Sequence, residues 1–334
     1  IDKAVIRKSA ITPKEDGRWA QTARFVMRRP LAVVVLSLVF LSILAAPIKN
    51  IVFSQVDSRV LPANNPAAFA SKIISDRFPG QEGNPVEIVI PKGALVQPEV
   101  TKYISEVAKV DGIVRVSPPQ IFGDDLRITA VHSMPPRTLK GESLIKDIRE
   151  IKSPEGTLIG GIAADYADTQ IGIAKTMPWA LTWIAVGVLI LLFVFTGSII
   201  LPIKAVILNI LSLAATLGAI TWIFVDGHLR WLVGDFTVTG AVDTGSIILV
   251  AVVAFGLSMD YELFLLSRIK EEHDAGKSNI ESVAIGLQRS ARIITAAAGL
   301  LAIVFASFII SGVTSIKMLG FGVAFAILLD ATLV

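Results

Sequence analysis

Cysteine is absent from all 334 residues, so neither a disulfide nor a thiolate metal site is open to this chain. Its three histidines, His132, His228 and His273, lie too far apart in sequence to make a metal-ligand spacing. No GxxxxGK[ST] loop occurs, and the Gly160-Gly161 pair reads as a tight bend at a strand end rather than a phosphate cradle. No Ser/His/Asp set stands out either, which makes an enzyme the least favoured class. No resident cofactor, no metal and no nucleic-acid partner are expected. What the chain has in excess is apolar sequence. It is 53% hydrophobic and 18% charged, and the two kinds of residue are segregated rather than mixed. The net charge is only +3, but the basic residues are unevenly placed.

Six runs have the length and apolarity of membrane-crossing helices: 30–48, 178–196, 199–225, 244–267, 293–312 and 317–334. Lys3, Arg7, Lys8, Lys14, Arg18, Arg24, Arg28 and Arg29 precede the first run, which predicts a cytoplasmic N-terminus. Arg268, Lys270, Lys277, Arg289 and Arg292 follow the fourth, and an even number of crossings returns that loop to the same side. Residues 49–177 then lie outside the cytoplasm. The predicted division is a basic lead-in or linker over 1–29, a first helix over 30–48, an extracytoplasmic domain over 49–177 and a five-helix domain over 178–334.

Within 49–177 short alternating runs interleave with amphipathic ones. They predict strand 86–90, helix 98–110, strand 113–117, strand 126–133, helix 141–151 and strand 157–162, a βαββαβ order. A helical segment over 66–78 and turns at Pro79-Gly80 and Pro118-Pro119 bound it. The fold class is thus an α-helical transmembrane bundle of six spans with an α+β extracytoplasmic domain. In the loop after the fourth span, Ser278-Asn279-Ile280-Glu281 makes a capping box. It predicts a short amphipathic helix lying on the membrane surface within 268–292.

The most informative residue is Asp260, set in SIILVAVVAFGLSMDYELFLLS over 246–267. At 1.5 Å per residue it sits about 12 Å inside the basic end marked by Arg268. A charged carboxylate at that depth costs about 2.5–3.5 kcal/mol on insertion scales, so such groups face protein or water and carry function. At about 100° per residue, Ser246, Leu249, Val253, Gly256, Phe264 and Ser267 share its face. That cost favours a bundle-facing acid, and Gly256 would let another helix approach. Tyr261, about 100° around, can serve an acid on a neighbouring helix, while Glu262 is about 200° away and points elsewhere. Asn209, Ser212 and Thr216 form a polar stripe on the third span, and Thr295, Gly299, Ala302 and Ala306 a small-residue stripe on the fifth. Asp330 is a further acid, about 20 Å along the last span.

The stretch GLSMDYELFLLSRIKEE over 256–272, with Leu201-Pro202-Ile203-Lys204-Ala205, Lys317-Met318-Leu319-Gly320 and Leu328-Leu329-Asp330-Ala331, resembles the MMPL (mycobacterial membrane protein large) family. That family belongs to the resistance–nodulation–division superfamily of proton-driven exporters. The resemblance covers nearly the whole chain and implies a multi-pass protein of the bacterial plasma (inner) membrane, with 49–177 as its porter domain. Family members carry two such halves, and this one is more similar to the second. Asp-Tyr pairs from the two halves face each other and relay protons; Asp260 and Tyr261 match one pair, and the other is absent here. The chain also opens on Ile1 and stops inside an apolar run at Val334. The resemblance therefore implies one half of a transporter, whose partners are the other half, membrane lipids and a lipid or other hydrophobic client.

The leading expectation is a proton-motive-force-driven exporter in which Asp260 and Tyr261 form the relay, supported by Glu262, Thr295, Asp330 and Asn209. The alternatives are a protein-translocation accessory of the same superfamily and a lipid-sensing or scaffold membrane protein whose acids only lock packing.

Overall fold

The structure, a computed structural model, describes residues 17–62, 64–78 and 80–333. Lys3, Arg7, Lys8, Lys14, the turn position Pro79 and Val334 lie outside the described residues. Among the described residues, six helices are long and apolar enough to cross a membrane. A short helix, α1 (Arg18–Arg28), leads into the first of them, α2 (Pro30–Ala45). Pro30 opens α2 at a position where its missing N–H costs nothing, and a 3-10 turn over Ala46–Asn50 extends it.

After α2 come a short strand β1 (Phe53–Ser54) and the peripheral helix α3 (Pro66–Arg77). A sheet unit follows, made of β2 (Val86–Ile90), α4 (Gln97–Val107), β3 (Ile113–Val116), β4 (Gln120–Phe122), β5 (Asp125–His132), α5 (Leu139–Glu150) and β6 (Leu158–Gly160). All its strand pairs are antiparallel, in the order β3-β5-β2-β6, with β4 folded back onto β5. Ile88 pairs with both Ile128 and Ile159, which fixes the register of three strands at once. Alternation sends Val86, Ile88 and Ile90 to one face, where Leu126, Ile128, Tyr103, Leu144, Ile145 and Ile148 complete a core. Each fully buried aliphatic side chain there contributes about 1.5–3 kcal/mol. β4 is an addition to the order read from the sequence; its Gln120, Ile121 and Phe122 are all exposed, so burial left no pattern to read.

The last strand hands the chain to a helix at Gly161, whose φ of +99° and contact with the Pro85 carbonyl admit no side chain. That helix, α6 (Ile162–Thr196), has 35 residues and begins well before the apolar run at 178. Ala163, Ala164 and Ala167 of its first turns belong to the sheet unit's core, which is why the helix starts there. Pro178 lies inside α6 without breaking it, as membrane helices commonly tolerate.

The rest of the bundle is α7 (Ile200–Ile220), a short α8 (Arg230–Val233), strand β7 (Val242–Asp243), α9 (Thr244–Asp274), α10 (Asn279–Ala306) and α11 (Thr314–Leu333). A π-helical turn over Thr221–Val225 closes α7. α7 meets α2 backbone to backbone at Gly218, where a Cβ would collide with the Leu44 carbonyl. The core between helices runs through Ile220, Phe224, Val250, Ala298, Val323 and Ile327. β1 and β7 pair in parallel as a separate two-stranded sheet.

The expected surface helix within 268–292 does not exist as a separate element. Residues up to Asp274 continue α9, and the segment from Asn279 is the first half of α10. Ser278 caps as read, accepting the Glu281 N–H at 3.4 Å. Nothing between Arg289 and Ile293 breaks a helix, so the capped turn runs straight into the fifth span.

Candidate functional site

α9 is packed on α10, α11 and α7, and it carries the whole Asp-Tyr-Glu motif. Asp243 starts it, accepting the Ser246 N–H and the Ser246 hydroxyl, each at 2.7 Å. Three consecutive helical residues must face three directions, and the structure shows what each meets. Asp260 is exposed, whereas Tyr261 and Glu262 are half-buried. The exposed stripe continues through Gly256, Val252 and Leu249, and a Cβ on Gly256 would touch nothing. Within this chain Asp260 therefore does not turn into the bundle as its insertion cost favours; it looks out across an open face. Thr295 is likewise exposed, its hydroxyl donating back to the Ala291 carbonyl at 2.7 Å.

The acid that does face the interior is Asp330. From α11 it accepts a hydrogen bond from the Ser212 hydroxyl on α7 and lies beside the Ser258 hydroxyl on α9. Three helices thus converge on one carboxylate. Glu262 and Tyr261 both lie within electrostatic range of Asp330, and Tyr261 is in range of Asp260 as well. The Tyr261 hydroxyl is buried and has no hydrogen-bond partner among the described residues. Asn209 is buried beside this group, donating to the Ala205 carbonyl at 3.0 Å and approaching the Met259 sulfur at 3.5 Å. Thr216 donates to the Ser212 carbonyl at 3.0 Å, so the polar stripe on α7 is real and its middle member holds Asp330.

Of the six residues singled out from sequence, five lie on α9, α11 or α7 at or near this convergence, and Thr295 stands apart on the outer face of α10. Ser258 was missed. It sits one turn before Glu262 and so shares that face of α9; the spacing was visible, but only tertiary packing shows that α11 brings an acid to meet it.

Both ends of α9 are tied down. At the Thr244 end, the Thr244 hydroxyl donates to the Ser54 carbonyl at 3.1 Å and accepts from the Gln170 amide at 3.1 Å. The Tyr166 hydroxyl donates to the Phe53 carbonyl at 3.0 Å, and the Ser54 hydroxyl to the Arg137 carbonyl at 2.6 Å. This joint connects α9, the base of α6, β1 and the lead-in to α5. At the other end, the buried Glu272 carboxylate is held by Lys277, at 2.8 Å, and by Arg289 on α10. Gly286 lies against the backbone of Ile269, so α9 and α10 are closely apposed there.

Comparison with known proteins agrees with this architecture. The MMPL family model matches residues 141–334. A membrane protein of Streptomyces coelicolor is 34% identical over 96% of this chain and 45% of its own length. The trehalose monomycolate exporter MmpL3 of Mycobacterium tuberculosis is 31% identical over 96% of this chain and 35% of its own. The mycolic acid-containing lipids exporter MmpL11 of Mycolicibacterium smegmatis is 30% identical over 95% of this chain and 34% of its own. The chain spans less than half the length of these relatives. With the family model covering more than half of its residues and all six spans in place, the chain belongs to the MMPL family.

Proposed function

We propose that this chain is one half of a proton-motive-force-driven exporter of a lipid or other hydrophobic molecule. The observation that carries the reading is the division of its membrane acids. Asp260 faces out of the bundle at mid-helix, Asp330 faces in between two serines, and Tyr261 lies in range of both. A carboxylate left in lipid costs about 2.5–3.5 kcal/mol, so the open face around Gly256 and Asp260 calls for a cover. The second half of a full-length transporter, presenting its own Asp-Tyr pair, supplies one. Relatives named as lipid exporters support the choice of client class.

Asp260 is the group that binds and releases the transported proton. When protonated it loses its charge, and the preferred packing of α9 against the opposing half changes. Tyr261, next to Asp260 on α9 and within electrostatic range of Asp330, lets the outer acid influence the inner one. Displacement of α9 then reaches the sheet unit, here read as the porter domain, through Thr244, Ser54 and Gln170. The driving force is adequate, because one charge crossing 100 mV releases about 2.3 kcal/mol. In this reading the N-terminus and the α9–α10 junction are cytoplasmic, and residues 49–177 lie outside.

The test uses the complete gene product in proteoliposomes with a fluorescent lipid carrying a sugar headgroup. Movement of the lipid should require an imposed pH gradient and stop on addition of a protonophore. Movement at the same rate without a gradient would contradict proton coupling, and no movement for any of a panel of lipids would favour a sensor or scaffold.

A further inference from the structure

Helix α1 has 11 residues, too few to span a bilayer, which takes about 20. Its last residue is Arg28, and Arg29, just before the Pro30 that opens the first span, leaves the helical conformation with φ −136° and ψ 57°. α1 therefore lies at the end of the first span, next to the point where α2 begins. One face is already used: Ala20, Ala23 and Met27 pack against Ala284 and Leu287 of α10, and the Ala20 N–H donates to the Gln288 side-chain oxygen at 3.1 Å.

The opposite face is what remains to be explained. Phe25 is 67% exposed there, Arg18 falls about 20° from it around the helix and Arg28 about 60° away, and Arg29 is exposed just past the helix end. Trp19 and Val26 are exposed along one flank. Residues 17–29 include no aspartate or glutamate. We propose that this face binds anionic phospholipid headgroups of the bilayer that α2 crosses. An exposed aromatic ring is at home at the boundary between headgroups and acyl chains. Guanidinium groups flanking it carry the positive charge that anionic headgroups attract. A face designed only for water would have no use for Phe25, and one meant only for acyl chains would exclude three arginines. Because the other face of α1 grips α10, lipid bound here also holds the start of α10, which Arg289 joins to α9. The inference is independent of whether the chain transports anything.

The absence of cysteine makes the test clean. Gln21→Cys, about 40° from Phe25, carries a fluorophore on the whole chain reconstituted in nanodiscs of phosphatidylcholine with a minority of phosphatidylglycerol. Energy transfer to headgroup-labelled lipids then reports which lipid surrounds α1. Phosphatidylglycerol should be enriched over phosphatidylcholine, and each arginine replaced by glutamine among Arg18, Arg28 and Arg29 should lower the enrichment by up to about fivefold. The three Arg→Lys replacements should retain most of it, and salt should weaken it. Equal transfer to both lipids, or equal loss in the lysine and glutamine variants, would overturn charge-based recognition. A label distant from both headgroups would also overturn it and leave the face to an acidic protein surface.

Discussion

Replacing Thr244 by valine probes the joint that carries motion from α9 to the sheet unit. The change keeps the shape of a residue that is only 7% exposed and removes its hydroxyl. Two hydrogen bonds are lost, the one donated to the Ser54 carbonyl and the one accepted from Gln170, both at 3.1 Å. Neutral hydrogen bonds contribute about 0.5–1.5 kcal/mol each, and leaving a buried partner unsatisfied costs about 1–3 kcal/mol. A local loss of about 2–3 kcal/mol is therefore expected, corresponding to a rise of about 30- to 150-fold in opening at this site. Hydrogen exchange on the full chain in detergent reads it at Val242, whose N–H donates to the Val52 carbonyl at 2.8 Å. Gln170→Leu should cause a smaller rise, and the double variant should show coupling of about 1 kcal/mol because the two side chains share one bond. Transport by the complete protein should slow in Thr244→Val although Asp260 and Tyr261 are untouched. Wild-type exchange at Val242 would show that the joint bears no load, and unchanged transport despite faster exchange would remove it from the coupling route.

Three further outcomes follow from other parts of the molecule. An impermeant thiol reagent applied to intact cells should label a cysteine placed at Met177 and spare one at Lys277; labelling of position 277 from outside would reverse the proposed orientation. Gly218→Val should prevent α7 from seating against Leu44 of α2 and lower the amount of folded protein in the membrane, because backbone rather than a movable side chain fills the space; normal levels would mean that α2 can shift. The sheet unit should loosen at both extremes of pH. Arg127 beside Glu87 holds that carboxyl below its usual range, and burial holds His132 below 6.5, so both contributions are present above the ordinary values and are lost as pH falls. Burial pushes Tyr103 up to about 12 from 10.0, so its contribution is present below pH 10.0 and is lost as pH rises toward 12. Exchange at the β2 and β5 amides should therefore be slowest between neutral pH and about 9, once corrected for intrinsic rates; a monotonic trend through that window would contradict these assignments.

The spans were legible because a bilayer demands long apolar runs, and strands such as Val86–Ile90 because one-sided burial imposes alternation. Helix starts were less so. The apolar run in α6 begins near 178, yet its first turns are alanines that serve the sheet unit's core, and small residues carry little periodic signal. The surface helix expected after α9 was misread because amphipathicity over 279–289 looks the same whether the helix ends there or continues into the membrane. Asp260, Glu262 and Asp330 could be picked out by the cost of burying charge, and Tyr261 by its place beside Asp260. Which of them faces inward could not, since Asp260 and Asp330 sit at similar depths and only the convergence of Ser212 and Ser258 separates their environments.

The most direct measurement compares Asp260→Asn with the unaltered complete protein in proteoliposomes under an imposed pH gradient, at matched protein density. Asparagine keeps the size and hydrogen-bonding capacity of the aspartate but cannot bind and release a proton. Glu262→Gln, which alters another face of α9, should impair transport less. The expected result is a folded, inserted Asp260→Asn protein that moves no lipid at any gradient; gradient-driven movement at the unaltered rate would contradict the relay and leave Asp260 a packing residue.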